Sequence, residues 1–400
     1  MKKRILFVDV EIMILQGLQR MLRSMRAEWE MEFVESADAA LRLLEEKPFD
    51  VIVSDMRMPR MNGAELLAEV MKRHPTTVRL ILSGYADKDL ILKCVGSTHQ
   101  YLAKPCDAES LKATIARASN LESSLRNEHL KSLVCQMNHL PSIPTLYMQV
   151  IEKASRADTL LEEIGDIIGR DMSMTAQILK LANSAFFGLR RQLSSVQEAV
   201  TYLGLDTIKS LVLSIHAFSQ FEEAETGALK IESLWRHSMQ VASSAKRISK
   251  LEGQEAKAAE EAFTAGMLHD IGKLVLAVNL PKDYAEAVRL TRAGLELPLA
   301  EHQVFGANHA DVGGYLIGLW GLPVPVVEAV ALHHFPSSAA QATFSPLTSV
   351  HAANVLEWEQ PNASHGLPAP QLDANYLGLV GASSRVDNWR KALAENRNEP

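Results

Sequence analysis

Short apolar runs alternate with amphipathic segments along the first part of the chain. The apolar runs, which are typical of buried strands, lie at residues 5–8, 32–35, 51–53, 78–82 and 101–102. Between them apolar residues recur at helical spacing, as at Leu15, Leu18 and Leu22. Strands that alternate with helices predict an α/β domain with a flavodoxin-like, doubly wound parallel sheet of five strands. We place this domain at residues 1–120.

The pattern becomes helical after this domain. A stretch without proline or glycine has an apolar helical stripe and predicts a linker helix over residues 107–138, continuing the last helix of the first domain. A homodimer could form through this helix if the stripe is a coiled-coil seam. Residues 139–340 lack strand-like alternation and predict an all-α domain. Residues 341–400 predict a helical extension packed on that domain.

Composition narrows the class of protein. A chain of 400 residues with 47% hydrophobic and 22% charged residues suits two or three folded domains. The net charge of -7 and the lack of a recognisable DNA-binding motif argue against a nucleic-acid ligand. The scattered cysteines contain no CxxC pair, and no apolar run is long enough to span a membrane. We therefore expect a cytoplasmic protein with reduced thiols and no membrane span.

Two aspartates that directly follow apolar runs define a first candidate site. The carboxyl ends of parallel strands border one crevice, so Asp9 and Asp55 should meet there together with Ser83 and Lys104. A carboxylate in this place can attack a phosphoryl group and form an aspartyl phosphate, and Mg²⁺ normally neutralises the charge. Ser83 can hydrogen-bond a phosphoryl oxygen, and Lys104 can place an ammonium group against it.

The segments around these residues resemble the receiver domain of two-component response regulators. The matching strings are ILFVD at 5–9, SDMRMP at 54–59 with NG at 62–63, LSG at 82–84 and YLAKP at 101–105. The resemblance implies that Asp55 is the phospho-acceptor and that a sensor histidine kinase is its partner. It further implies that Ser83 and Lys104 bind the phosphoryl group and that Tyr101 changes rotamer on activation.

The magnesium site implied by this resemblance is incomplete. Its ligands would be Asp9, Asp55 and the backbone carbonyl of Arg57. Receivers usually have two adjacent acids after the first strand, but the second position here is Val10, which offers no oxygen. Glu11 is close in sequence and is a possible substitute ligand. We expect weakened Mg²⁺ binding and leave two alternatives open: a phosphorylated receiver, or a pseudo-receiver that serves only as a docking module.

Histidines concentrate in the second half of the chain and define a second candidate site. Imidazole and carboxylate groups are ligands for zinc, manganese and iron. The residues that could hold such a divalent transition metal are His237, His269, Asp270, His309, His333 and His334. Neighbouring side chains on a helix point about 100° apart, so His269 and Asp270 can share a site only at a helix end or bend. Gly272 makes such a bend possible.

This pattern resembles the HD phosphohydrolase superfamily, and more closely its HDOD branch, the HD-related output domain of bacterial signalling proteins. The matching strings are LPSIP at 140–144, ILKLANS at 178–184, AVTYLG at 199–204, MLHDIGK at 267–273, NHADVG at 308–313, LWGLP at 319–323 and VHAAN at 350–354. The resemblance implies an all-helical output domain. It also places Lys273 where related phosphodiesterases have a phosphate-contacting lysine.

The second site departs from active HD enzymes. Asn354 stands where they have a late metal-bridging aspartate, Ser233 replaces an acid, and residues 335–338 lack a Gly-Tyr-Pro segment. These losses argue against cyclic-di-GMP hydrolysis. We favour a non-catalytic HDOD output that binds an unidentified downstream signalling protein. The alternatives are a metal-dependent phosphohydrolase or phosphodiesterase, and histidines that serve only as hydrogen-bonded core residues.

Overall fold

The amino-terminal domain is built on a parallel sheet. The computed structural model describes residues 2–83, 97–104, 106–121, 125, 127–137, 149–150, 153, 160–183, 192–204, 208, 229–359 and 368–395. The strands are β1 (Lys3–Val8), β2 (Trp29–Val34), β3 (Val51–Asp55), β4 (Val78–Ser83) and β5 (Gln100–Ala103). They form a 5-stranded sheet in the order β2-β1-β3-β4-β5, with every pair parallel. This is the flavodoxin-like order, so the predicted fold class of this domain is confirmed.

Helices cover this sheet, and local sequence explains where they begin. They are α1 (Ile12–Met21), α2 (Ala37–Glu46), α3 (Gly63–Arg73) and α4 (Ala108–Leu121). Ser36 caps α2 by accepting a hydrogen bond from the backbone N–H of Ala39. At α3, Asn62 and Glu65 form a reciprocal capping box. Every residue of β3 is buried, which fits a central parallel strand covered on both faces.

The predicted continuous linker helix over residues 107–138 is wrong. After α4, a separate helix α5 (Glu128–Gln136) begins at Asn127, whose backbone is extended (φ -79, ψ 109). The Asn127 side chain accepts hydrogen bonds from the N–H groups of His129 and Leu130, so it caps a new helix and does not continue the old one. Its amide also donates to the carbonyl of Phe305 at 2.5 Å. A dimer through this segment stays a prediction.

The carboxy-terminal part of the chain is helical. Its helices are α6 (Leu161–Ile168), α7 (Met172–Ala182), α8 (Val196–Leu203), α9 (Ile231–Leu251), α10 (Ala256–Leu268), α11 (Ile271–Asn279), α12 (Pro281–Arg292), α13 (Leu297–Phe305), α14 (His309–Leu319), α15 (Val324–Leu332), α16 (Pro346–Trp358), α17 (Ala374–Leu379) and α18 (Val386–Glu395). No strand occurs in the described residues beyond β5, as the all-α expectation required. Within the same residues, no helix combines the length and apolarity needed to cross a bilayer.

The long helix α9 lies at the centre of this helical part. It packs against α10 and α16, and α10 also packs against α15 and α16. Gly266 allows α10 to lie close to α9, because a Cβ atom there would lie 2.7 Å from Cα of Ala242. The last helix is held to α9 by Trp389, whose indole N–H donates to Glu252 at 2.7 Å. The predicted domain boundaries near residues 138 and 340 stay predictions.

The sheet domain contacts the helical part near the amino-terminal ends of β4 and β5. The amide of Gln100 donates to the carbonyl of Leu319, at the end of α14, at 2.9 Å. Arg79, which is 1% exposed, donates to the carbonyl of Cys135 in α5. The thiol of Cys135 lies 3.6 Å from the hydroxyl of Tyr315 in α14. Helix α14 therefore connects the sheet domain with the interior of the helical part.

Candidate functional sites

The first site lies at the carboxyl ends of β1 and β3, as the sequence predicted. The ammonium group of Lys104 lies 2.6 Å from Asp9 Oδ2 and also contacts Asp55 Oδ1. The remaining carboxylate oxygens are held by backbone N–H groups: Glu11 donates to Asp9 Oδ1 and Arg57 donates to Asp55 Oδ2, both at 2.9 Å. The two carboxylates thus face one another across a single lysine.

The charges of this pocket are coupled. Burial raises the pKa of Asp55, and nearby Asp9 adds to the increase, while hydrogen bonding to Lys104 opposes it. Burial alone would lower the pKa of Lys104, but its contacts with Asp55 and Asp9 outweigh that effect and raise it. An ionised lysine between two acids is the expected state at neutral pH. This arrangement holds a nucleophilic carboxylate next to a cation that can pair with a transferred phosphoryl group.

Two further predicted residues lie close to this pocket. Ser83 is the last residue of β4, beside Ala103 of β5, and it is fully buried. Its carbonyl accepts a hydrogen bond from the N–H of Lys104 at 2.8 Å, which ties the two neighbouring strand ends together. Tyr101 lies in β5 and is 1% exposed. Pro105, the last residue of the YLAKP string, lies outside the described residues.

The donor set fits Mg²⁺ only in part. Asp9 and Asp55 offer carboxylate oxygens in one pocket, and the backbone at Arg57 runs beside them. Val10 packs against the apolar core and has no oxygen in its side chain to replace the missing acid. Glu11 is the exposed N-cap residue of α1 and reaches the pocket through its backbone N–H. Lys104 contacts both carboxylates but compensates only one of their two negative charges, so the pocket keeps a net negative charge that suits a cation.

The second site forms where helix ends converge on Asp270. Asp270 is the N-cap residue of α11, and His269 is the C-cap residue of α10, so the adjacent pair does lie at a helix break. The other predicted ligands come from three separate places in the chain: His237 of α9, His309 at the start of α14, and His333 and His334 after α15. All of the predicted ligand residues lie in two overlapping groups that share Asp270. Within each group, the ligand atoms lie within 4.8 Å of one another.

Gly272 makes this convergence possible. A Cβ atom at Gly272 would lie 1.9 Å from the carbonyl oxygen of His309 and 2.9 Å from the backbone nitrogen of Gly313. Any side chain would therefore separate α11 from the first turn of α14. With glycine, the Nε2 atom of His309 lies 3.2 Å from Asp270 Oδ1. The predicted bend at Gly272 is replaced by a close helix crossing, with the break one residue before α11.

The orientation of the imidazole rings suits metal ligation. The Nδ1 atoms of His269 and His333 lie 2.7 Å and 2.8 Å from the carbonyl oxygens of Gly266 and Val330. A carbonyl can only accept, so each Nδ1 carries the proton and each Nε2 has a free lone pair. Both Nε2 atoms are buried without a hydrogen-bond partner. Metal-binding histidines are typically oriented by such Nδ1 hydrogen bonds.

The protonation states fit the same chemistry. Burial lowers the pKa of His269 to about 3. Burial also lowers the pKa values of His333 and His334 well below their ordinary range. Burial alone would raise the pKa of Asp270, but His269, Lys273 and His309 outweigh it and hold that pKa well below its usual range. The neutral imidazoles of His269, His333 and His334 beside an ionised carboxylate are donors that suit a divalent transition metal.

Sequence reasoning missed Glu301. This residue of α13 is completely buried, and its Oε2 atom accepts hydrogen bonds from Nδ1 (2.5 Å) and from the backbone N–H (2.8 Å) of His309. Burial opposes protonation of His309, but the charge of Glu301 and the hydrogen bonds to Asp270 and Glu301 together outweigh it, so the pKa of His309 is raised. The only signal in the sequence was an acidic residue in a mostly apolar helix, which is too common to identify it.

Asn354 and Lys273 complete the site. The Nε2 atom of His237 lies 3.1 Å from Asn354 Oδ1 and 3.8 Å from Asp270 Oδ2. The amide thus occupies the place beside His237 where a second bridging carboxylate would add charge. Lys273 lies one turn into α11, and its ammonium group is 2.7 Å from Asp270 Oδ2. The donors fit a divalent metal, although the site has one anionic ligand, Asp270, among the predicted residues.

Comparison with known protein families agrees with this division of the chain. The fold and the two sites define a two-part chain: a flavodoxin-like domain with an acidic pocket, and a helical domain with a histidine cluster. A model of the response regulator receiver domain matches residues 5–116. A model of the HDOD domain matches residues 140–336. The chain therefore contains a response regulator receiver domain followed by an HDOD domain, which is the architecture of a response regulator.

Individual relatives are distant and differ in length. An uncharacterized protein of Treponema pallidum is 24% identical over 68% of this chain and 53% of its own length. The hydrogenase transcriptional regulatory protein HoxA of Cupriavidus necator is 32% identical over 39% of this chain and 31% of its own length. The crystal structure of the MmoQ response regulator from Methylococcus capsulatus is 23% identical, with a TM-score of 0.46 over 60% of this chain and 98% of that one. The chain thus spans about half, or less, of the length of the two curated relatives from Treponema pallidum and Cupriavidus necator.

Proposed function

We propose that this protein is a two-component response regulator in which phosphorylation of Asp55 controls the HDOD domain. The observation that supports it best is the position of Lys104, which contacts both Asp55 and Asp9 at the carboxyl edge of the sheet. A receiver domain in general takes its phosphoryl group from a histidine kinase. Asp55 is the carboxylate in this pocket whose pKa is raised by burial, as suits a nucleophile that is poorly solvated.

Each of these pocket residues has its own role in the phosphoryl transfer. A carboxylate oxygen of Asp55 attacks phosphorus, an O–P bond forms, and the P–N bond to the kinase histidine breaks. Lys104 exchanges its contact with Asp55 for one with a phosphoryl oxygen, and the hydroxyl of Ser83 donates to another. Mg²⁺ would be held by Asp9, Asp55 and the carbonyl of Arg57, and it supplies charge neutralisation.

The contact between the domains offers a route for the signal. Helix α14 begins with His309 in the histidine site and ends at Leu319, whose carbonyl binds Gln100 of β5. Tyr101, the residue that resemblance identifies as the switch aromatic, follows Gln100 directly in the sequence. A shift of β5 on phosphorylation would therefore act on one end of a helix whose other end forms part of the output site.

Small-molecule phosphorylation tests the receiver proposal. The full chain is incubated with acetyl phosphate and Mg²⁺, and phosphoryl incorporation is measured by intact mass. We expect one phosphoryl group on the wild-type chain and on Asp38→Asn, an exposed acid on α2, and none on Asp55→Asn. If the wild-type chain takes no phosphoryl group at any Mg²⁺ concentration, the domain is a pseudo-receiver.

For the output we favour a binding role over catalysis, and we infer that the histidine site holds a divalent transition metal. The residues that would hold it are His237, His269, Asp270, His309, His333 and His334. A metal held there can activate water for attack on phosphorus, so a phosphohydrolase is the second candidate. The unpartnered Nε2 atoms of His269 and His333 favour that candidate. The neutral amide of Asn354, next to His237, opposes it.

Hydrolysis assays separate the two candidates. Bis(4-nitrophenyl) phosphate and cyclic dinucleotides are offered to the Mn²⁺-loaded full chain and to Asp270→Ala. We expect no difference between the two proteins, because binding without turnover is the favoured role. Turnover by the wild type that Asp270→Ala abolishes would instead identify the domain as a metal-dependent phosphohydrolase.

A further inference from the structure

A buried histidine outside the predicted ligand set contacts the backbone of the histidine site. His351 lies in α16 and is 2% exposed, and its Nδ1 atom lies 2.8 Å from the carbonyl oxygen of His333. Its Nε2 atom accepts a hydrogen bond of 2.9 Å from the backbone N–H of Asp373. A carbonyl can only accept and an N–H can only donate, so His351 carries its proton on Nδ1 and donates it to His333. Both ring nitrogens of His351 are therefore bound within the protein.

The carbonyl that His351 binds belongs to a residue at a helix end. His333 is the C-cap residue of α15, where backbone carbonyls have no partner within the helix and need a donor from elsewhere. Its own Nδ1 atom is held by the carbonyl of Val330. Its Nε2 atom has no hydrogen-bond partner among the described residues and lies 3.9 Å from Asp270 Oδ1. His351 thus holds the backbone of an imidazole whose free lone pair lies close to Asp270.

Asp373 connects the carboxy-terminal extension, residues 341–400, to the same segment at a second point. It is the N-cap residue of α17, and its Oδ1 atom accepts a hydrogen bond from the backbone N–H of Tyr376. Its Oδ2 atom accepts a hydrogen bond of 2.5 Å from the hydroxyl of Ser337, which follows His333 closely in the sequence. Asp373 therefore binds the ligand-bearing segment directly at Ser337, and through His351 at His333.

The start of α17 is anchored on α16 by a further contact that includes no predicted ligand. Tyr376 is 1% exposed, and its hydroxyl lies 2.7 Å from Oγ1 of Thr348, which is completely buried. The Tyr376 ring also lies edge-on to the imidazole of His351, with 6.4 Å between the ring centroids. The N–H group of Asp373 is therefore held in a defined position next to His351.

We propose that the carboxy-terminal extension forms part of the histidine site, with Asp373 and His351 as positioning residues for His333. Asp373 fixes the tautomer and orientation of His351, and His351 fixes the backbone that carries His333. The proposal rests on the metal site proposed above and goes beyond it, because metal affinity then depends on residues that bind no metal. Both positioning residues lie beyond residue 336, where the match to the HDOD domain ends. The extension thus controls how tightly the HDOD domain holds its metal.

Cobalt binding tests the proposal, because Co²⁺ suits imidazole and carboxylate ligands and its visible absorption reports how those ligands are arranged. The full chain and its variants are titrated with Co²⁺ against a competing chelator, and absorption spectra are recorded. His351→Ala removes the donor to His333, so we expect the Co²⁺ affinity to fall about 10–100-fold and the visible band to change. His351→Asn can place an amide N–H near the position of Nδ1, so it should recover most of the affinity and the wild-type spectrum.

A matched pair of substitutions at Asp373 tests the role of the extension. Asp373→Ala and Asp373→Pro both remove the carboxylate, but only proline also removes the backbone N–H that binds His351. The backbone of Asp373 has φ -74, which proline can adopt without strain. Loss of one hydrogen bond should make Asp373→Pro bind Co²⁺ about fivefold more weakly than Asp373→Ala.

Tyr376→Phe is the control within the extension. It removes the hydroxyl contact with Thr348 and leaves the bonds of Asp373 and His351 in place, so Co²⁺ affinity should stay at the wild-type value. Urea unfolding of each metal-free variant measures the stability of the fold separately.

The outcomes distinguish the positioning proposal from the metal site itself. Equal Co²⁺ affinity and spectra in wild type and His351→Ala would overturn the positioning role and leave the metal site intact. An equal loss of affinity in His351→Ala and Tyr376→Phe would also overturn it, because the extension would then act only through the stability of the fold. If His351→Ala does not fold, the Asp373 pair decides, and equal affinity of its two members would overturn the proposal. A wild-type chain that binds no Co²⁺ would overturn the metal site and the positioning role together.

Discussion

The two sites of this molecule differ in how their buried polar and charged groups are paired. In the receiver pocket, Lys104 contacts both Asp9 and Asp55, so a cation of the protein itself compensates one of their two negative charges. In the histidine site, imidazoles surround Asp270, and the Nε2 atoms of His269 and His333 are buried without a partner. Buried polar atoms are normally hydrogen-bonded, and leaving one unpaired costs about 1–3 kcal/mol. The carboxylates of the first site thus share a cationic partner within the protein, whereas these two imidazole nitrogens have no hydrogen-bond partner among the described residues.

This difference reverses the simplest expectation from the family resemblances. The receiver resemblance implies Mg²⁺ binding, whereas Asn354 and the other departures from active HD enzymes imply a weakened site in the HDOD domain. Here the receiver has lost an acid at Val10, and the HDOD domain has kept a full set of imidazoles around Asp270. We therefore expect metal dependence to be weak in the receiver and strong in the HDOD domain. The following predictions test that contrast.

The largest effect is expected for Asp270→Ala. Asp270 belongs to both groups of ligands, so its removal leaves only neutral imidazoles to hold a dication. Metal content of the purified full chain, measured by mass spectrometry, should fall from stoichiometric to background. His302→Ala is the matched control, because His302 is an exposed histidine of α13 and its loss should leave the metal content unchanged. Equal metal content in wild type and Asp270→Ala would contradict the strong metal dependence expected of the HDOD domain.

Glu301→Gln should weaken metal binding without abolishing it. Glu301 holds His309 through Nδ1, and loss of such an orienting carboxylate typically costs about 10–100-fold in metal affinity. The glutamine keeps the side-chain length and a carbonyl oxygen that can accept the same hydrogen bonds. Competition with a metallochromic chelator gives the affinity. An unchanged affinity would mean that Glu301 serves only to pack α13 against α14.

Val10→Asp should strengthen Mg²⁺ binding in the receiver. A third carboxylate beside Asp9 and Asp55 adds an oxygen ligand and a negative charge, so we expect affinity to rise about tenfold or more, or about 1.4 kcal/mol. Phosphorylation by acetyl phosphate should then saturate at lower Mg²⁺ concentration. Val10→Asn, which adds an oxygen without charge, separates the two contributions. Equal Mg²⁺ affinity in wild type and Val10→Asp would show that Val10 is not at a ligand position.

The parts of the fold with strong local patterns could be predicted from the sequence. The buried runs at 5–8, 51–53 and 78–82 gave β1, β3 and β4, because only a strand covered on both faces explains such short apolar runs. The histidines that gather around Asp270 were also predictable, since their residue types and order match a known family. Their arrangement in space was not, because it depends on the contact between Gly272 and His309, which are far apart in sequence.

The errors arose where one side chain overrides a regular pattern. Residues 107–138 have a helical stripe, but Asn127 caps a second helix and binds Phe305 of the HDOD domain. A stripe cannot reveal that capping, because asparagine is also tolerated inside helices. Helix α17 (Ala374–Leu379) was not predicted, since its 6 residues are too few to show a period.

A histidine in the receiver provides the last and smallest test of the contrast. His99 is buried, like His269, but both of its nitrogens have protein partners. Nδ1 accepts from the backbone N–H of Arg79 at 3.0 Å, and Nε2 lies 3.2 Å from the carbonyl of Cys135. Burial, together with the charge of Arg79, lowers the pKa of His99 well below its ordinary range.

His99 should make the free energy of unfolding decrease as the pH falls. Because the folded pKa of His99 is lower than the unfolded value of about 6.5, the unfolded chain binds the extra proton first, and stability falls as the pH drops below that value. The expected slope is up to about 1.4 kcal/mol per pH unit. Urea unfolding of the full chain between pH 7 and pH 5.5, with and without Mn²⁺, measures it. In His99→Asn, the dependence of the unfolding free energy on pH should decrease by the contribution of about one proton. The decrease should be equal with and without Mn²⁺, because neither nitrogen of His99 is left for a metal. A contribution of His99 that disappears when Mn²⁺ is added would show that the two domains share one metal-dependent equilibrium, and the contrast between the sites would then be wrong.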